Sequence, residues 1–157
     1  MAAGIEIENN QIYLYISFFI PKDVKRANEL MTSLIFNVNN PNINKIILLS
    51  EDKFPNISTL KFTEKIKDKL TDKLIIEEGE KRRPKYSDFI QLFGKYNPNG
   101  INIISNSDII LDYDDTTKIH QIQNNEMWGL TRYEVNQDLE NKKYSNIPWK
   151  KFPYVHP

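Results

Sequence analysis

The sequence predicts an α/β protein with a mostly parallel central sheet flanked by helices, and three consecutive segments predict it. Residues 11–19, Gln-Ile-Tyr-Leu-Tyr-Ile-Ser-Phe-Phe, are β-branched and aromatic with little polar alternation, the pattern of a strand covered on both faces. After the turn Pro21-Lys22-Asp23, the residues Val24, Ala27, Leu30, Met31, Leu34, Ile35 and Val38 recur at helical spacing, which makes an amphipathic helix that ends in Asn39-Asn40-Pro41. Lys45-Ile-Ile-Leu-Leu-Ser50 is short and apolar between turn residues, a second strand. A strand, a crossover helix and a strand form a right-handed βαβ unit, and continued alternation implies a parallel sheet.

The later elements follow in order. Residues 51–72 hold a loop at Phe54-Pro55-Asn56 and a modest helical pattern from Phe62 to Leu70, whose many lysines read as a solvated face. Leu74-Ile-Ile-Glu77 reads as a short third strand before a charged loop from Glu78 to Pro84. Helical spacing returns at Tyr86, Phe89, Ile90, Phe93 and Tyr96 and is closed by Asn97-Pro-Asn-Gly100, a strong turn signal. The strand Ile101-Asn-Ile-Ile-Ser105 stops at Asn106-Ser107-Asp108. Ile109 to Leu111 reads as extended, Asp114 or Asp115 as the cap of a short helix through Ile119 and Ile122, and Glu126 to Tyr133 as the last strand.

A chain of 157 residues suits a single domain spanning 1–157. Lysine plus arginine equals aspartate plus glutamate at 21 each, so no net field draws the molecule to nucleic acid or an anionic membrane. With no cysteine, disulfides and thiolate metal sites drop out, and a metal would be held by oxygen or histidine. No apolar run reaches membrane-spanning length and no signal-peptide pattern opens the chain, so a cytoplasmic protein is expected. Asparagine, isoleucine and lysine make up more than a third of the residues, and the asparagines are read as compositional bias.

In open parallel sheets ligands bind outside the carboxyl ends of the strands. The residues expected there are Ser17 and Phe18, Ser50 and Glu51, Arg83, Tyr86 and Asp88 ahead of a helix, and Asn106, Ser107 and Asp108. The set suits a nucleoside diphosphate: a ring stacks the base, hydroxyls and amides hold ribose, Arg83 meets a phosphate, and a carboxylate binds a divalent cation shared with the phosphates. Five glycines, none in a phosphate-loop arrangement, leave a nucleotidyltransferase poorly supported.

Tyr13 to Pro21, Arg26 with Glu29-Leu30, Arg83-Pro84-x-Tyr86-x-Asp88-Phe89, Ser105-Asn106-Ser107-Asp108-Ile109 and Gly129-Leu-Thr-Arg-Tyr-Glu134 together resemble the small GT-A-fold glycosyltransferase domains of large DNA viruses and some bacteria. The resemblance spans nearly the whole chain. It implies a UDP- or GDP-sugar donor bound with Mn²⁺ or Mg²⁺, Asp108 as the metal-contacting carboxylate, and Asn106 where other members carry the first acid of Asp-x-Asp. Residues 1–110 would form the nucleotide-binding half, and 111–157 the start of an acceptor-side half that is cut short. Thr131, Arg132 and Glu134 would line the sugar or acceptor side, toward a glycan or protein hydroxyl. The family's downstream aspartate, the candidate base, has no equivalent here; Glu134, Asp138 or His156 would have to substitute, and the alternative is a nucleotide-sugar-binding domain without turnover.

Plainer readings stand beside these. Asp108 can cap a turn, Arg132 with Glu134 can be a surface ion pair, and Arg82-Arg83 can be solvated. Asp112, Asp114 and Asp115 lack the glycine and distal glutamate of a calcium loop. His120 reads as structural, and Trp128 and Trp149 as packing residues.

Overall fold

The computed structural model describes residues 10–19, 21–51, 72–79, 82–124 and 126–129. The chain divides into two compact units, 1–121 and 122–157. The first holds, in chain order, β1 (Ile12–Phe18), α1 (Val24–Asn39), β2 (Ile43–Ser50), β3 (Leu74–Glu78), α2 (Tyr86–Tyr96), β4 (Ile101–Ser105) and α3 (Tyr113–Ile119). The four strands form one parallel sheet in the order β3-β2-β1-β4. No helix among the described residues is long and apolar enough to cross a membrane.

The absence of polar alternation in β1 and β2 follows from their central position, since each is covered on both faces. Leu14, Ile16 and Phe18 of β1 join Ile46 and Leu48 of β2, Leu74 of β3 and Ile103 of β4 against Met31, Leu34, Ile35 and Val38 of α1. On the other face Tyr13, Tyr15, Ile47, Leu49, Ile75 and Ile104 meet Phe89, Leu92, Phe93 and Tyr96 of α2. Burying one such aliphatic side chain contributes about 1.5–3 kcal/mol, and this double layer carries most of the apolar burial. Handedness explains the two layers. The β1-to-β2 connection steps one way along the sheet and the β3-to-β4 connection steps the other, so right-handed crossovers place α1 and α2 on opposite faces.

Local chemistry fixes the element ends. The Asp23 side chain accepts the Lys25 N–H at 3.1 Å and starts α1. The Lys73 ammonium donates to the carbonyls of Val38 and Asn40, both at 2.7 Å, where α1 ends. The Asn97-Pro-Asn-Gly100 turn needs its glycine: a Cβ at Gly100 would lie 2.2 Å from the amide of Asn97, itself buried against the backbone of Gln11 and Ile101. Tyr15, fully buried, donates its hydroxyl to Asn102 Oδ1 at 2.7 Å, and its ring lies 4.7 Å from that of Phe93. Burial, then the neighbouring Tyr13 and Tyr96, push its phenol well above the ordinary tyrosine value.

Ile109 to Leu111, read as extended, is held by the buried side chain of Asn37: its Nδ2 donates to the Ile109 carbonyl at 2.9 Å and its Oδ1 accepts the Leu111 N–H at 2.8 Å. Two expectations change. The short helix starts at Tyr113 with Asp112 in the capping position, so Asp114 and Asp115 fall in its first turn. The Asp112 carbonyl accepts both the N–H and the hydroxyl of Thr116, which turns fully inward. Glu126 to Gly129 is not a strand in the structure, and Met127 is 84 % exposed. The expected helix at 62–70 and the rest of the expected last strand, 130–133, lie outside the described residues.

Candidate functional site

The strand order creates one place where the chain reverses its direction of travel across the sheet. It moves from β1 to β2 to β3, then returns to the far side of β1 as β4, so the topological switch point lies between the carboxyl ends of β1 and β4. The two strands pair up to Ile16 and Ser105, after which β1 continues to Phe18 beside Ser50 of β2 and β4 leaves the sheet. Ser105 is followed at once by a tight turn in which the Asn106 carbonyl accepts the Ile109 N–H at 3.2 Å. Ser107 and Asp108 occupy its two central positions. The apolar strand therefore delivers a carboxylate to the switch point, and the turn sets where that carboxylate goes.

It meets the first turn of α1. Arg26 NH1 donates to Asp108 Oδ2 at 3.2 Å and to Glu29 Oε2 at 3.0 Å, with the side chains of Arg26 and Asp108 42 % and 32 % exposed. The Glu29 hydrogen bond raises the Arg26 guanidinium above its ordinary value; desolvation opposes it, and the Asp108 hydrogen bond and the two carboxylate charges add to the rise. Glu29 lies one helical turn from Arg26, and Asp108 comes from 82 residues away.

The other half of the rim is closed differently. The Glu51 N–H donates to the Phe18 carbonyl at 2.9 Å, and the Gly79 N–H to the carbonyl of buried Ser50 at 2.8 Å. A Cβ on Gly79 would stand 2.1 Å from that carbonyl oxygen, so the close approach depends on glycine. At the start of α2, Arg82 grips Asp88 through two parallel bonds, NH1 to Oδ2 at 2.9 Å and NH2 to Oδ1 at 3.1 Å, and the Lys85 N–H donates to Asp88 Oδ2 at 2.7 Å. The Arg82 bonds, then the Lys85 N–H, hold the Asp88 carboxyl below the usual carboxylate range. Asp88 is thus engaged in starting the helix.

Of the residues expected at the rim, Asn106, Ser107 and Asp108 form the turn that follows β4 at the switch point, and Ser17 is half-buried near the end of β1. Phe18 points the other way, 6 % exposed in the α1-side core. Tyr86 is 76 % exposed at the first position of α2, and Arg83 is exposed just before it. His120 and Trp128 are also exposed. Thr131, Arg132, Glu134, Asp138, Trp149 and His156 lie outside the described residues. Arg26 and Glu29 stand in the sequence motif but not among the expected ligand contacts; their spacing on the first turn of α1 was the available signal. A second cluster went unread: Glu77 accepts from Lys95 Nζ at 2.5 Å and from the Tyr96 hydroxyl on the α2 face.

A divalent cation at Asp108 is tested by the donors present. Among the described residues no three histidine, aspartate or glutamate side chains gather, so a cage built of protein ligands is not formed there. The turn offers a carboxylate whose Oδ1 is not used by Arg26, and the exposed amide of Asn106. That set fits an ion of the Mg²⁺ or Mn²⁺ kind, which takes one or two carboxylates and completes its shell with waters and phosphate oxygens.

Fold and rim define the class: an α/β protein with an open parallel sheet and a charged switch point. Comparison with known proteins yields no matching family, no matching curated protein and no matching solved structure.

Proposed function

We propose that this chain is a glycosyltransferase domain that binds a UDP- or GDP-sugar at the β1/β4 switch point, with Mn²⁺ or Mg²⁺, and transfers the sugar to a hydroxyl of a glycan or protein. The observation that carries the reading is the Asn106-to-Ile109 turn, which sets a partly exposed carboxylate at the crevice where open α/β sheets hold nucleotides. In this reading Asp108 and Asn106 hold the cation, Ser17 hydrogen-bonds the nucleotide, and the exposed Tyr86 ring with Arg83 covers base and phosphate. The cation, when bound, supplies charge stabilisation to the departing diphosphate. Thr131 and Arg132 serve the acceptor side, and Glu134 or Asp138 takes the proton of the acceptor hydroxyl as its oxygen bonds the sugar carbon and the nucleoside diphosphate leaves.

Thermal-shift measurements with UDP and GDP, with and without Mn²⁺, test the reading. Stabilisation that requires nucleotide and ion together is expected, since a ligand of the native state raises stability by mass action. Equal midpoints in all conditions would refute it. Nucleotide release from UDP- and GDP-sugars then separates a transferase from a donor-binding domain without turnover.

A further inference from the structure

Resting on that reading, we infer that Arg26 is a diphosphate-binding residue, aimed by Glu29 and Asp108 so that the free edge of its guanidinium meets the phosphates at the switch point. Three observations carry this. Both carboxylates are bound by the same atom, NH1, so among the described residues NH2 and Nε of Arg26 make no hydrogen bond. The side chain is 42 % exposed, so the guanidinium is not sealed into the core. The pairing bridges α1 to the turn after β4, and so stands at the β1/β4 switch point rather than elsewhere on the rim.

A guanidinium is planar and presents its donors as a fork, so anchoring one nitrogen from two sides fixes the plane of the rest. The local charge also explains why phosphate and ion should enter together. One guanidinium with two carboxylates sums to −1, which repels a diphosphate; a divalent ion on Asp108 brings the sum to +1, which attracts it. Arg26 and the ion then share the phosphate charge, while Asp108 serves both.

Isothermal titration of inorganic pyrophosphate, UDP and GDP in the presence of Mn²⁺, and of Mn²⁺ alone, compares the wild-type chain with Arg26→Gln and Arg26→Lys. Losing a charge-assisted hydrogen-bonding partner of a phosphate should weaken pyrophosphate and nucleoside diphosphates by about tenfold or more in Arg26→Gln, with Arg26→Lys between. Mn²⁺ alone should bind Arg26→Gln at least as tightly as wild type, because a competing cation has left Asp108. Undiminished pyrophosphate binding by Arg26→Gln overturns the inference and leaves the proposed function standing where UDP or GDP binds. A parallel loss of Mn²⁺ binding and melting temperature also overturns it, since that marks a purely structural arginine. Pyrophosphate binding that depends on Arg26 without any nucleoside diphosphate binding keeps the inference and removes the proposed function. A wild-type chain that binds none of the three ligands removes both.

Discussion

Where the strands begin, neutral amides join the backbone: Asn97 Nδ2 donates to the Gln11 carbonyl at 3.1 Å, Asn102 Nδ2 to the Asn97 carbonyl at 3.0 Å, Asn40 Nδ2 to the Leu111 carbonyl at 3.0 Å, and Asn44 Oδ1 accepts the Ile12 N–H at 2.8 Å. Where the strands end, charged side chains face one another instead, Arg26 with Asp108 and Arg82 with Asp88, each with a quarter or more of its side chain exposed. The Asn44 bond sits at a register irregularity, where β1 passes from Ile43 to Lys45 between Ile12 and Tyr13, and so repairs the backbone bond that the bulge would leave open. The Asn40 bond is buried and the other three are part-buried, so breaking them leaves backbone groups poorly reached by water, whereas a half-exposed ion pair in high dielectric gives up little when a new partner arrives. One edge is built to stay and the other to exchange.

The sharpest way to break this comparison is Asn37→Ala. Two backbone groups, the Ile109 carbonyl and the Leu111 N–H, would lose their partner at a site where Asn37 is 1 % exposed. A loss of about 2–4 kcal/mol in unfolding free energy is expected from one buried and one part-buried backbone group left unsatisfied. Urea denaturation reads it directly, and a change under about 1 kcal/mol would mean that the amide edge carries no special weight.

Asp108→Asn probes the opposite edge. The two side chains are 42 % and 32 % exposed, so stability should change by less than about 1 kcal/mol and less still in high salt. The same variant should abolish the joint stabilisation by nucleotide and Mn²⁺. A large loss of stability with retained ligand response would reverse the roles assigned to the two edges.

The smallest expected effect is a pH dependence at the Glu77 cluster. Burial pushes the Glu77 carboxyl up, but hydrogen bonds from Lys95 and Tyr96 and the Lys95 charge more than reverse this and hold it below the usual range. A depressed carboxyl contributes stability that is complete above its ordinary value, near pH 4, and is lost as pH falls through the folded value. The Glu77 hydrogen bond raises Lys95, and a raised ammonium contributes stability that is complete below about pH 10 and is lost as pH rises through the folded value. The contribution should therefore be level from about pH 5 to 9 and fall at both ends. Glu77→Gln should flatten both limbs in melting temperature against pH; limbs that persist unchanged would assign them to other groups.

Much of the frame was legible because periodicity is a local property. The unbroken apolar runs of β1 and β2, the helical spacing of α1 and α2, the helix start after Pro21-Lys22-Asp23 and the stop at Asn106-Ser107-Asp108 all appear in the structure where they were read. The asparagines were not legible. Asn40 and Asn97 were read as a helix end and a turn and Asn37, Asn44 and Asn102 as compositional bias, yet all five hold the backbone, because what an amide does depends on which carbonyls and N–H groups the fold brings to it. The apolar pattern of Ile109 to Leu111 likewise showed an extended segment without showing that a side chain would pair it.

By itself the sequence determined the alternation of strand and helix, the burial of the central strands on both faces, and the carboxylate at the end of β4. Only the tertiary structure decided that β4 returns to the far side of β1, that Phe18 turns into the core while Ser17 stays at the rim, and that Asp108 meets Arg26 from 82 residues away. Local patterns fix which backbone conformation is favoured, while the pairing of distant side chains is set by the order and handedness in which the elements pack.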